Sequence, residues 1–412
     1  MTLFYNIAIH FYRFLIGIAS VRNVKAKQWV SGRKNWAEKL QQQIDPNKPV
    51  VWFHCASLGE FEQGRPVIEE YKEKEPGSQI LLTFFSPSGY ELRKNYDKAD
   101  VVAYMPLDTA ANAQRFISIA KPQKVVFVKY EFWYHFLNEL NKENIPVMVI
   151  SAIFRPTQTF FRKWGGWYRR LLKKVDFLFV QDENSKQLLS GIGVNQVAVA
   201  GDTRFDRVAQ IASSIINLPI VEKFVGANRV VVAGSTWSPD EELIANFINN
   251  DTSNTKYIIA PHEIKPKHVD ELVAKLEVGV QKYTSLNGVE DVDENAKVLI
   301  IDCIGILSSV YSYGHIAYIG GGFGVGIHNT LEPATFGMPV IFGPNHERFR
   351  EAVMLKESGG GFAIENQEEL NSIFLKLINN AGYLSETAEI AGSFVKNNTG
   401  ATGKIVEKLS GK

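Results

Sequence analysis

Residues 50–66 read VVWFHCASLGEFEQGRP: an apolar run over 50–56, a turn carrying Ser57 and Gly59, then two carboxylates, Glu60 and Glu62, where a helix should begin. A run that is apolar at successive positions, and so on both alternating faces, predicts a strand buried on both sides. That is the strand of a parallel sheet covered by helices. The pattern recurs at ILLTFF (80–85), VVAYMP (101–106), KVVFVKY (124–130), VMVISAIF (147–154), FLFVQD (177–182) and VAVAGD (197–202). After a less patterned stretch around Ser213 to Ala227 it begins again with RVVVAGS (229–235), YIIAPH (257–262), VLIIDC (298–303), HIAYIGG (315–321) and PVIFGP (339–344). Two such series predict an α/β protein of two doubly wound, Rossmann-like domains facing each other across a cleft. The expected division is a leader over 1–40, a first domain over 41–210 and a second over 211–412 that includes the C-terminal helix.

The 412 residues suit two domains rather than one core. Lys and Arg total 45 against 44 Asp and Glu, so the overall charge carries no nucleic-acid signature and only local patches can matter. Cys55 and Cys303 are far apart and match no metal-ligand spacing, which predicts reduced thiols in a reducing compartment.

Residues 2–21, TLFYNIAIHFYRFLIGIASV, are mostly apolar, interrupted by His10 and Arg13, with no small-residue cleavage pattern after them. Arg22, Lys25, Lys27, Arg33, Lys34 and Lys39 follow, with Trp29 and Trp36 among them and Glu38 as the single acid. This predicts a helix that lies in a membrane surface or barely spans it, positive flank toward the cytoplasm. An amphipathic helix packed on the protein itself is the alternative. A second basic and aromatic stretch, residues 155–174, interleaves Arg155, Arg162, Lys163, Arg169, Arg170, Lys173 and Lys174 with Phe160, Phe161, Trp164, Trp167 and Tyr168. Such a surface suits anionic headgroups, or else an exposed helix with its rings turned to the core.

In open parallel sheets ligands bind beyond the carboxyl ends of the strands, so the chemistry is sought just after each run. Glu60 has two readings there: a helix-start acid favoured by the helix dipole, or a base that deprotonates an acceptor hydroxyl. His54 is the rival base. A His54–Cys55 dyad is excluded because neighbouring strand residues point to opposite faces. In the second half, YIGGGFGVGIHNTLEPATFGMPVIFGP (318–344) gathers Gly320, Gly321, Gly322, Gly324 and Gly326 before Asn329 and Glu332, which are expected on one face of the following helix. This is a phosphate cradle with a polar clamp, and neither a dinucleotide fingerprint nor a Walker loop is present. Ser235 and Thr236, Pro261 and His262, and Gly305, Ile306 and Leu307 stand beyond further strands and complete a nucleotide pocket. Asp291 and Asp293 form a D-x-D pair within a polar stretch, read as a solvated loop rather than a metal site.

In this order HCASLGE, LLTFFSPSGYE, AYMPLD, KYEFW, GDTRFD, VAGSTW and GGGFGVGIHNTLEPA resemble the 3-deoxy-D-manno-octulosonic acid (Kdo) transferases of Gram-negative lipopolysaccharide assembly, from about residue 50 to 350. The resemblance implies a GT-B fold and an inverting transfer without metal or other cofactor. The implied donor is CMP-Kdo and the implied acceptor a lipid A precursor (lipid IVA), at the cytoplasmic side of the cell inner membrane. It makes Glu60 the general base and carries Ser235, Thr236, Asn329 and Glu332 over to the donor side, with Pro261, His262, Gly305, Ile306, Leu307 and Gly322 beside them. Ser57, Gly59, Ser86, Ser88, Glu131, Arg155, Arg162 and Lys163 fall on the acceptor and membrane side. Where the family has A-P-R-H, this chain has Ala260, Pro261, His262 and Glu263, so the cation near the donor is missing or comes from His262, Lys265 or Lys267. T-x-T-P-T-G becomes Phe84–Gly89 and E-T-E-L-W becomes Lys129–Trp133. Another GT-B enzyme, a UDP-sugar transferase or an epimerase, is the rival reading, and a non-catalytic nucleotide-binding membrane module is a second.

Overall fold

β1 (Val50–Cys55) is buried at every position, as its unbroken apolar run requires. The computed structural model, which describes residues 1–324 and 326–411, sets it third in a seven-stranded parallel sheet. Around it stand β2 (Gln79–Phe84), β3 (Val101–Tyr104), β4 (Pro122–Val128), β5 (Val147–Ala152), β6 (Phe177–Val180) and β7 (Val197–Val199), in the order β3-β2-β1-β4-β5-β6-β7. The order reverses between β1 and β4, which opens a crevice beyond their carboxyl ends. The alternation of β1 divides two cores: Trp52 packs on one face with Leu81, Phe116 and Phe127, and Phe53 and Cys55 on the other with Phe61, Leu82 and Val126. Helix Leu58–Lys74 lies close on that second face. A Cβ at Gly64 would come within 3.0 Å of Val128 and 3.3 Å of the Cys55 sulfur.

The second sheet is also wholly parallel: β8 (Val230–Thr236), β9 (Lys256–Pro261), β10 (Val280–Lys282), β11 (Val298–Ile300), β12 (Ile316–Ile319), β13 (Val340–Phe342) and β14 (Gly361–Ala363), in the order β10-β11-β9-β8-β12-β13-β14. The reversal here falls between β8 and β12. Two of these strands, β10 and β14, do not announce themselves in sequence, because each is three residues long at an edge and β10 carries Gln281 and Lys282.

The chain forms two units, Met1–Arg207 with Thr399–Lys412, and Val208–Asn398, and the passage between them occurs inside helix Thr203–Ser213. The C-terminal helix, Ala401–Ser410, expected with the second domain, packs instead in the first: Ile405, Val406 and Leu409 enter the core of Phe61, Val67 and Ile68. Asp206 fixes its start, accepting from the amides of Gly400 and Thr402 and the Thr402 hydroxyl.

Helix Thr2–Ala19 buries none of its side chains and is long and apolar enough to cross a membrane. Leu3, Phe4, Ile7, Phe11, Phe14, Leu15 and Ile18 form an outward stripe at helical spacing, with Phe4 70% and Phe14 62% exposed. The other face is held to the first unit by polar contacts. Tyr5 donates to Asp108 Oδ2 at 2.5 Å, Asn6 Oδ1 meets His135 Nε2 at 2.6 Å, and Thr2 donates to the Tyr134 hydroxyl at 3.0 Å.

Candidate functional site

Beyond β1 the chain turns through Ser57 into helix Leu58–Lys74, and Glu60 stands in the first turn. A serine at this position ordinarily accepts from a helix amide. Here the Ser57 hydroxyl donates to Glu60 Oε2 instead. Glu131, beyond β4, stands across the reversal point from it. Burial pushes the Cys55 thiol well above its usual range, and the charges of Glu60, Glu131 and Glu62 add to the shift, so the three carboxylates gather around this end of the sheet. Cys55 is therefore a protonated core thiol.

His54 is fully buried and faces the Trp52 side of the sheet. Its register partner on β2 is Thr83, whose Oγ1 lies 2.8 Å from His54 Nδ1 and accepts from Trp52 Nε1 at 2.7 Å. Thr83 then has one proton to give. The shorter contact, to Nδ1 rather than to the Phe53 carbonyl at 3.4 Å, takes it and leaves the imidazole proton on Nε2. That nitrogen is 3.6 Å from Glu131 Oε2 and has no other partner among the described residues. His54 is therefore enclosed in the sheet, while Glu60 is half-buried in the turn beyond it.

The remaining positions expected on the acceptor side are placed unevenly. Ser86 caps helix Pro87–Arg93, accepting from Ser88 N and sharing a 2.9 Å hydroxyl contact with Ser88, and its own amide donates to Ala56 O beside the Ser57 turn. Gly89 permits that closeness: a Cβ there would come within 3.1 Å of the Ser57 carbonyl carbon. Gly59 is exposed in the first turn of the Glu60 helix. Arg155, Arg162 and Lys163 lie in the segment leading into helix Gly166–Leu172, with Arg162 Nε donating to Thr157 O at 3.2 Å. In this segment Phe160, Phe161 and Trp167 pack on the core, and Trp164 is 69% exposed.

In the second unit the reversal point brings the end of β8 against the glycine loop after β12. Gly320 is required there, since a Cβ would fall 2.3 Å from Ser235 O, and Gly322 likewise, 2.5 Å from Gly343 Cα. Ser235 adopts a left-handed backbone at φ 54°, a strained conformation for a side-chain-bearing residue. Thr236 donates to Glu241 Oε1 at 3.0 Å, and His268 Nε2 meets the same oxygen at 3.0 Å. His262 stacks between Trp237 and His328, ring centroids 4.5 Å away on each side, and Trp237 Nε1 donates to His328 Nε2 at 3.2 Å. Burial, and then the neighbouring His262, hold His328 below the usual histidine range.

Asn329 and Glu332 are together, but not on one helix. The helix is the five-residue Leu331–Thr335, and Asn329 precedes it, its Oδ1 accepting from Leu331 N at 3.1 Å and its Nδ2 donating to Glu332 Oε1 at 2.9 Å. Pro333, inside the motif, has no amide to give, and the turn ends two residues later. Glu332 Oε2 accepts from Ser308 at 2.9 Å, one residue beyond Gly305, Ile306 and Leu307. Pro261 ends β9 opposite Thr236, and Gly305 turns at φ 100°. Asp291 accepts from Asn287, and Asp293 from the Asn295 amide, so both brace local turns.

Sequence reasoning missed the residue that ties the glycine loop to its neighbours. Asp240, 1% exposed, accepts from Trp237 N at 2.9 Å, Gly321 N at 2.9 Å and the Tyr318 hydroxyl at 2.8 Å, joining helix Ser238–Asn250, the glycine loop and β12. The signal was Pro239 at the helix start with an acid next to it, a helix-start pattern.

Residues 34–207 match the family model described as 3-deoxy-D-manno-octulosonic-acid transferase (kdotransferase). The chain is 28% identical over 340 residues to the 3-deoxy-D-manno-octulosonic acid transferase of Aquifex aeolicus, covering 80% of this chain and 86% of that one. It is 27% identical over 369 residues to a bifunctional glycosyltransferase/methyltransferase of Fusobacterium nucleatum, covering 87% of this chain but only 56% of that protein. Among solved structures, the UDP-GlcNAc 2-epimerase of Neisseria meningitidis superposes with a TM-score of 0.61 at 20% identity, over 89% of this chain and all of that one. That likeness speaks for the two-domain GT-B type of fold.

Proposed function

Because the chain belongs to the 3-deoxy-D-manno-octulosonic acid (Kdo) transferase family and is a Kdo glycosyltransferase, we propose that it takes Kdo from CMP-Kdo and adds it, with inversion and without a metal, to the lipid A precursor lipid IVA at the cytoplasmic side of the inner membrane. The observation that carries the reading is Glu60: a half-buried carboxylate beyond β1, held by Ser57, at the crevice where the strand order reverses. Glu60 takes the proton of an acceptor hydroxyl while that oxygen bonds to the anomeric carbon. The bond from that carbon to the phosphate oxygen breaks, and CMP leaves with the electron pair.

On the donor side, Ser235, Thr236, His262, Gly322, Asn329 and Glu332 are proposed to receive the nucleotide sugar. The close backbone approach at the glycine loop and the strained Ser235 support this assignment. The outward apolar stripe of helix Thr2–Ala19 and the cations of residues 155–174 support a lipid acceptor presented at a membrane surface.

The test is transfer from CMP-Kdo to a tetraacylated, phosphorylated glucosamine disaccharide, followed by mass spectrometry of the lipid. Glu60→Gln is expected to lower turnover by about 10²–10⁴-fold with donor binding kept; near wild-type turnover removes Glu60 as the base. Full activity is expected in excess EDTA, and a loss restored by magnesium overturns the metal-free step. Turnover of a UDP-sugar in place of CMP-Kdo favours the rival enzyme of the same fold.

A further inference from the structure

Beneath helix Thr2–Ala19 lies a cavity of about 450 Å³ that the transfer reaction does not use. Arg13 and Gly17 of the helix roof it, and Trp29, Arg33, Lys34 and Asn112 are among its walls. Its size is that of a ligand site. Its chemistry is one-sided: three cations line it and no carboxylate does.

Arg33 shows the imbalance most clearly. Its guanidinium sits 4.0 Å from the Trp29 ring centroid, 4.8 Å from Phe85 and 4.9 Å from Tyr104, and it donates to the carbonyls of Met105, Phe85 and Trp29. Among the described residues no carboxylate pairs with it, and burial pulls it down to about 9. A charge withdrawn from water without a counter-charge favours binding of an anion. Nor do Arg13 and Lys34 enter any ion pair among the described residues. The acids nearby are engaged elsewhere: Asp108 accepts from Tyr5, His135 and Phe136, Glu38 pairs with Arg115, and Glu91 with Lys94.

We propose that this cavity binds the headgroup phosphate of an anionic membrane phospholipid, with the acyl chains running along the outward stripe of helix Thr2–Ala19. Both halves of such a ligand are matched: cations stand at the pocket and an apolar surface continues from its roof. The site would hold the helix and the first unit against the bilayer through a lipid distinct from the acceptor. The inference rests on the membrane reading of that helix, and its readout is lipid binding rather than sugar transfer, so the two can fail separately.

The experiment uses the full chain, purified in neutral detergent, with short-chain phosphatidylglycerol and phosphatidylcholine as probes and retained lipid read by native mass spectrometry. One phosphatidylglycerol per chain is expected, bound more tightly than phosphatidylcholine. Arg13→Gln with Lys34→Gln is expected to weaken it about thirtyfold. Gly17→Leu should do the same without altering charge, since a Cβ at Gly17 meets nothing within 4 Å and the larger side chain has the cavity to fill. An unchanged melting temperature shows that each variant folds, and the glycine variant carries the test if the double one does not. Equal retention of the two lipids, or undiminished phosphatidylglycerol binding by folded Gly17→Leu, overturns the proposal. Displacement by millimolar inorganic phosphate would make this a free-phosphate site. Displacement by a phosphorylated acceptor, but not its dephosphorylated form, would hand the site to the acceptor; either result overturns the phospholipid assignment.

Discussion

At the scale of single residues, what sequence discloses depends on how far away a side chain's partners lie. Glu60 is legible because its setting is local: a strand, a turn and a helix start within a few residues. Asn329 and Glu332 were placed together correctly, since three residues bring them close whether or not a helix intervenes, but the single turn Leu331–Thr335 was not foreseen. Asp240 is hidden because two of its three partners, Tyr318 and Gly321, are about eighty residues along the chain. Its importance is testable. Asp240→Ala leaves the amides of Trp237 and Gly321 and the Tyr318 hydroxyl without their shared acceptor, and hydrogen bonds to a charged group contribute about 1.5–3 kcal/mol each. Loosening the glycine loop should raise the KM for the nucleotide sugar by at least about tenfold while the acceptor KM stays within about twofold. Equal effects on both substrates would mean a general loss of fold rather than a donor-side role.

The elements repeat this lesson at longer range. Strands such as β1 and β8 reveal themselves by unbroken apolar runs, while β10 and β14 take their identity from the neighbour they pair with. The helix that carries Glu60 is held at its middle by a polar network. Arg65 Nε donates to Glu69 Oε1 at 2.7 Å, the Tyr96 hydroxyl to the same oxygen at 3.0 Å, and Arg207 stands 3.6 Å from Oε2. Burial pushes the Glu69 carboxyl up, but the Arg65 bond and charge, Arg207 and Tyr96 outweigh it and leave it below its usual range. Folding therefore releases protons from Glu69 when the pH is near its unfolded pKa of about 4.3. Its stabilising share is whole above that value and is lost as pH falls through the depressed folded value. Glu69→Gln should lower the melting temperature of the first unit at neutral pH by about 3–6 °C, from about 1.5 kcal/mol at about 2–4 °C per kcal/mol. The variant should also lose less stability than wild type on acidification, as urea titrations across pH 3–7 would read. Parallel slopes for the two proteins would remove Glu69 from the acid response.

At the scale of the whole molecule, two domains were legible because two series of strands follow one another, but the path of the chain was not. It leaves the first unit within helix Thr203–Ser213 and comes back after Asn398 to finish it. Nothing in the local pattern of residues 401–410 says which core they complete. Their apolar positions fit any helix-covered sheet, and the deciding contacts are with residues far earlier in the chain. Ile405, Val406 and Leu409 are almost wholly buried against helix Leu58–Lys74 and its sheet, and Lys124 Nζ holds the Leu409 carbonyl at 2.6 Å. At about 1.5–3 kcal/mol for each such side chain, their burial amounts to about 5–9 kcal/mol, comparable with the whole stability of a domain, about 5–15 kcal/mol. A chain ending at Asn398 should therefore lose the thermal transition of the first unit and with it sugar transfer. The second unit runs from Val208 to Asn398 and is kept whole in such a chain, so its transition and the CMP-Kdo binding proposed for it should persist. Calorimetry with titration of the nucleotide sugar distinguishes the outcomes. Loss of both transitions would make the last helix a support for the entire chain, and survival of both would mean that Asp206, Lys124 and the Phe61 core hold without it.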